Sequence, residues 1–214
     1  MLATTLLLAC VALPLRAAPE PAPAVDATWI LAQIARPVPS QVRFVELRDS
    51  KLLKTPLWIS GEYRRPDAST LVREVRSPYP ETTTLRAGEA TIEREGKATR
   101  RFSLARVPEL AGLQASFGAL LAGDRERLQR HYRLHAEGSR QRWTLRMAPK
   151  DAAMAAHVRA LVLHGRGDAL RCIETLPVAG GLAQRTLLGD AARDAAGARD
   201  GATVAALCTG DGDE

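Results

Sequence analysis

From Leu57 to Arg65 the chain alternates strictly. Leu57, Ile59, Gly61, Tyr63 and Arg65 fall on one parity, and Trp58, Ser60, Glu62 and Arg64 on the other. Successive strand side chains point to opposite faces, so this stretch predicts a strand whose mostly apolar side ends in a cation. A charge on an apolar face costs free energy unless it is paired. Arg65 therefore either meets a partner inside or bends out into water. Pro66 has no N–H to give a ladder and stops the strand; a second begins by Thr70. The same rhythm recurs along the chain. Residues 42–47 predict an earlier strand, and residues 70–77, 81–86, 90–95 and 99–105 predict later ones, with Ala87-Gly88 and Gly96-Lys97 as turns. Leu128, Arg130, Tyr132 and Leu134 alternate with Gln129, His131, Arg133 and His135, which predicts another strand. Trp143, Leu145 and Met147 alternate in turn, and residues 158–163, 170–175 and 182–188 complete the set. Short strands at this regular spacing predict an antiparallel meander, in a barrel or a strongly curved sheet.

Three segments break the rhythm. Asp26 is a good N-cap for a helix through about residue 36, with Trp29, Ile30, Gln33 and Ile34 as its apolar stripe and Pro37 and Pro39 ending it. Leu110, Leu113, Phe117, Leu120 and Leu121 recur at helical spacing and predict a helix over residues 108–123. Pro108 suits its first turn and Gly123 its C-terminal cap. Gly112 and Gly118 weaken it by roughly 1 kcal/mol each relative to alanine. Beyond Gly189 the chain is alanine-rich and reads as helical, ending in an acidic tail over residues 210–214.

Composition narrows the function. The net charge is +6, almost all of the excess being arginine, yet no dense basic run occurs, and aromatic residues make up only 4%. That counts against a phosphate-tracking groove and a base-stacking platform, so no nucleic-acid partner is expected. The start of the chain is a short apolar run followed by small residues and prolines, the pattern of a secretory signal peptide. We expect residues 1–24 to be leader and processing scar, 25–191 the folded domain, and 192–214 a terminal helix and tail. Leu7-Leu8-Ala9-Cys10 also reads as a site for cysteine lipidation, which would anchor the chain to a membrane. In an oxidising compartment the other two cysteines, Cys172 and Cys208, are expected to pair and tie the terminal helix to the sheet. His131 and His135 share a parity with Arg133 between them, without further ligands for a metal. The chain carries no G-x-S-x-G elbow, P-loop or H-E-x-x-H, so neither an enzyme nor a cofactor is expected.

The order of elements, together with Ser60-Gly61-Glu62-Tyr63-Arg64-Arg65-Pro66 and the later stretch around Gln184-Arg185-Thr186-Leu187-Leu188-Gly189, resembles the LolA-type lipoprotein carriers, and more closely a LolA-related branch. The resemblance implies an unclosed antiparallel β-barrel with helices over its open mouth. It implies a cavity for the acyl chains of a lipidated cargo, loaded by an inner-membrane donor and emptied by an outer-membrane acceptor. The arginine before the proline, here Arg65, would hold the lid helices closed, and residues 110–121 would form the lid. Ligand contact and gating are thus expected of Arg65, Leu57, Ile59, Tyr63, Leu71, Leu113, Phe117 and Leu120. The family's aromatic residue soon after the proline is missing; Ala68-Ser69 stand there, with Leu71 the nearest bulky residue. The chain is also more basic than is usual for the carrier, which leaves room for another acylated cargo. On this reading it is a monomeric periplasmic carrier. The alternatives are a LolB-like acceptor anchored through Cys10, and an exported binding module that uses its arginines on an acidic polymer.

Overall fold

A computed structural model describes residues 25–48, 56–104, 118–178, 183–198 and 200–210. Helix α1 (Ala27–Ile34) comes first, capped by Asp26, whose carboxylate accepts from the Trp29 amide at 2.8 Å. Six strands follow: β1 (Ser40–Arg48), β2 (Leu57–Asp67), β3 (Thr70–Ser77), β4 (Glu81–Arg86), β5 (Glu89–Arg94) and β6 (Arg100–Ser103). The chain is helical again at residues 118–122, termed α2, and in α3 (Arg125–His131). Then come β7 (Tyr132–Gly138), β8 (Trp143–Pro149), the single turn α4 (Ala152–Ala155), β9 (Val158–Arg166), β10 (Ala169–Pro177) and β11 (Gln184–Leu188). Two short helices, α5 (Gly189–Asp194) and α6 (Gly201–Thr209), close the described chain.

All eleven strands form one sheet in the order β6-β5-β4-β3-β2-β1-β11-β10-β9-β8-β7. Every pairing is antiparallel. The sheet is unclosed: β6 and β7 are its two edges, and the segment joining them carries α2 and α3. The strand alternation predicts this meander, and the strand β3 spans the residues expected of it.

One expected strand is a helix in its first half. Residues 128–131 belong to α3, and β7 starts only at Tyr132. Leu128 and Tyr132 have the same parity, but they are also four residues apart, which is one helical turn. Local chemistry decides for the helix. Asp124 caps it, accepting from the Arg127 amide at 2.9 Å, with Glu126 in the first turn and Arg130 and His131 in the last. His131 therefore ends a helix while His135 lies exposed on β7, its Nε2 3.0 Å from Glu137, and the two do not share a strand face. Gly189 likewise opens α5, whose N-cap is Leu188, and the expected domain boundary after residue 191 falls inside that helix.

The two faces of the sheet are packed differently. On the inner side, Ile30, Leu31 and Ile34 of α1 are buried against Leu128, Tyr132, Trp143, Leu145, Met147 and Leu163. On the outer side, alanines of α5 and Val204 of α6 pack on Leu47, Cys172 and Leu187. A disulfide between Cys172 of β10 and Cys208 of α6 sits inside this outer cluster. A third cluster, Phe44, Ile59, Val75 and Leu188, lines the middle of the sheet. Gly61 allows it. A Cβ there would lie 1.9 Å from the Glu74 carbonyl oxygen and 3.0 Å from the Phe44 ring, so only glycine lets β3 and that ring come so close.

Two stability predictions follow from this packing. The Cys172–Cys208 link closes 36 residues of sequence, so Cys208→Ser is expected to lower stability by about 3–4 kcal/mol in the chain-entropy model. The measurement is the urea midpoint with and without the bond. Gly61→Ala is expected to cost about 1–3 kcal/mol by forcing β3 away from β2, read in the same titration; an unchanged midpoint would contradict the packing described.

Candidate functional site

The site grows from the cation that ends the inner face of β2. Arg65 pairs in register with Ser40 of β1 and is only 6% exposed. The β2–β3 register shifts between Arg64 and Asp67, so Arg65 and Pro66 sit in an irregularity of the ladder, where proline is tolerated. The guanidinium is not lost to water. Its Nη1 donates to the Arg36 carbonyl at 3.2 Å and to the Leu121 carbonyl at 3.1 Å. Arg36 lies just beyond the end of α1, and Leu121 lies in the last turn of α2. The Arg36 amide also donates to the Leu121 carbonyl at 3.1 Å. Helix C-termini leave carbonyls without intrahelical partners, and cations are favoured there. One side chain of the sheet thus binds the ends of both covering helices. Gly123, with φ +69°, lets α2 end in a tight turn, and a Cβ there would lie 3.0 Å from the Leu31 carbonyl oxygen of α1.

Beside this contact the β2–β3 turn is fixed by Asp67. Its carboxylate accepts from the Ser69 hydroxyl at 2.7 Å, the Ser69 amide at 2.8 Å and the Thr70 hydroxyl at 2.9 Å. These bonds, the Ser69 hydroxyl first, hold its carboxyl down at about 2. The turn forms part of the mouth, a cavity of about 800 Å³ that Arg65, Leu71, Leu104, Leu121 and Arg127 help to line.

Leu71 also lines the inner cavity, of about 340 Å³, inside the cup. Most of that wall is apolar: Leu85, Ile92, Phe102, Leu120, Met147, Leu161, Leu163 and Ile173. One stretch is not. Glu46 is 1% exposed. It accepts from Arg73 Nη2 at 3.0 Å, from Gln184 Nε2 at 2.8 Å and from Arg48 Nε. Arg73 also lies over the Phe44 ring, 4.8 Å from its centroid. Burial opposes the Arg73 charge, but Tyr63 and Glu46 outweigh it and raise its pKa. Burial in turn pushes the Tyr63 phenol above its usual range, against the pull of Arg73. The arrangement can bind chemically mixed molecules: an apolar body against one wall and an oxygen-bearing group against the other.

Of the residues expected from sequence, the structure brings Tyr63, Leu71 and Leu120 to the inner cavity and Arg65 and Leu71 to the mouth. Ile59 is 2% exposed and packs with Phe44, Val75 and Leu188 instead of facing the cavity, with Leu57 against the same cluster. Leu113 and Phe117 lie outside the described residues, as does most of the expected helix over 108–123. Sequence reasoning missed Glu46, Arg48 and Arg73. A signal was present: each sits on the apolar parity of its strand, like Arg65, beside Val42 and Phe44 in β1 or Leu71 and Val75 in β3.

A family model matches the chain over most of its length. The family described as "Outer membrane lipoprotein carrier protein LolA-like" matches over residues 17–211. Among solved structures, a LolA superfamily protein from Nitrosomonas europaea aligns with 13% identity and a TM-score of 0.41, over 78% of this chain and 93% of that one. None of the curated proteins matches this sequence closely enough to be reported as similar. With nine-tenths of its length matched, the chain belongs to the family of LolA-like outer-membrane lipoprotein carrier proteins.

Proposed function

We propose that this protein is an exported, monomeric carrier that shelters the acyl portion of a lipidated cargo in its inner cavity and passes it towards the outer membrane. The observation that carries this reading is the double hydrogen bond from Arg65 to the covering helices. Sequestering about a dozen methylenes contributes roughly 10 kcal/mol at about 0.8 kcal/mol each. Such a cargo enters readily and leaves slowly, so a carrier needs a cover whose opening costs little. Arg65 supplies a single polar latch to the cover, beside the apolar contacts of α1 and Leu120. Its donor and acceptor are an inner-membrane complex and an outer-membrane protein, as the family relationship suggests.

The polymer-binding alternative fares less well. Several surface arginines already face carboxylates: Arg64 with Glu74 at 2.7 Å, Arg76 with Glu62 at 3.0 Å, and Arg94 with Glu81 at 2.6 Å. A polyanion would have to compete with those pairs.

Arg65→Leu tests the reading. The charge-assisted bonds to the two carbonyls stabilise the closed cover by about 2 kcal/mol, so their loss shifts the open-to-closed ratio roughly thirty-fold. The expected result is unchanged far-UV circular dichroism, stronger binding of an apolar fluorescent probe, and impaired transfer of bound lipidated cargo to acceptor membranes. Transfer and probe binding identical to the natural protein would rule out the gate.

A further inference from the structure

The chemistry of the inner wall narrows the cargo. Among the described residues three charged side chains line the cavity, Glu46, Arg48 and Arg73, two cations to one anion. Burying an unpaired cation under hydrocarbon is costly. Arg73 is mostly buried, whereas the Arg48 side chain is 48% exposed; a ligand that is alkyl throughout and covers both would strip that water and leave one guanidinium charge without compensation. An oxyanion placed there supplies it. Each guanidinium has five N–H donors in a planar fork, which suits a carboxylate or phosphate edge. Arg48 meets Glu46 through Nε and Arg73 meets it through Nη2. Glu46 also takes the Gln184 amide, and Phe44 lies beneath Arg73, so the fork is held in place before any ligand arrives. The cavity volume, about 340 Å³, stands at the lower end of the roughly 300–1,000 Å³ typical of small-ligand sites. That suits one hydrocarbon chain better than the two or three of a diacyl or triacyl lipid.

We propose that the cavity binds a single-chain amphiphile with an oxyanion head, its head against Arg48 and Arg73 and its chain along Leu85, Ile92, Met147 and Leu163. The proposal rests on the carrier reading above and specifies its cargo. Palmitate, hexadecyl phosphate and hexadecanol share one chain and differ in the head. Each is titrated into the full chain, below its aggregation threshold, by displacement of a fluorescent fatty-acid analogue. One or both oxyanions are expected to bind about tenfold or more tightly than the alcohol, the gain from a charge-assisted contact. Whichever is tighter names carboxylate or phosphomonoester as the head. Arg73→Met is expected to bring the three affinities within about threefold of one another. Arg48→Met, at the more exposed side of the wall, gives the same reading if the first variant does not fold. Equal binding of all three by the natural protein overturns the head-group site and leaves the carrier reading standing. Failure of every ligand, and of the fluorescent analogue itself, overturns both.

Discussion

A buried guanidinium and the ends of two helices satisfy one another here, and the covered state of the cup depends on that exchange. Arg65 stands on the inner face of β2, where a cation without acceptors would be untenable. The carbonyls of Arg36 and Leu121 stand at helix ends, where backbone acceptors lack partners. The Leu121 carbonyl also accepts from the Arg36 amide, so the guanidinium completes a junction that the two helix ends already share. The contact is made through one nitrogen, so it is specific and easily broken. That combination distinguishes a cover from a core.

The outer face and the middle of the sheet are held by a covalent link and by close packing. On the convex side the Cys172–Cys208 bond and the small side chains of α5 hold the C-terminal helices against β10 and β11. The middle of the sheet is locked by Phe44 lying over Gly61. The mouth and the inner cavity meet at Leu71, directly inside the Arg65 contact.

The inner cavity is mixed in character. Glu46 is held by three donors, and among the described residues its two arginine partners give the wall a cationic excess. A fully apolar lining would accept any hydrocarbon. A wall that must be compensated discriminates among them, because specificity arises from the cost imposed on the wrong ligand as much as from contacts to the right one.

The sequence by itself determined the strands, their turns and the first helix. Alternation at period two, punctuated by glycine and proline, is a local property, and the backbone obeys it. It also marked Arg65 as an anomaly on an apolar face, and the pairing of Cys172 with Cys208 needed only two cysteines and an oxidising compartment. Local pattern failed where two periods coincide: Leu128 and Tyr132 satisfy both a strand and a helical turn, and the Asp124 cap chose the helix. Only the tertiary structure decided what meets what. Arg65 finds Leu121 across 56 residues, and Glu46 finds Gln184 across 138. Ile59 shares its parity with Tyr63, yet the curvature of the sheet packs it beneath Phe44 while Tyr63 reaches the cavity. Parity assigns a side chain to a face; which points of that face enclose a cavity is set by how the whole sheet bends and by what covers it.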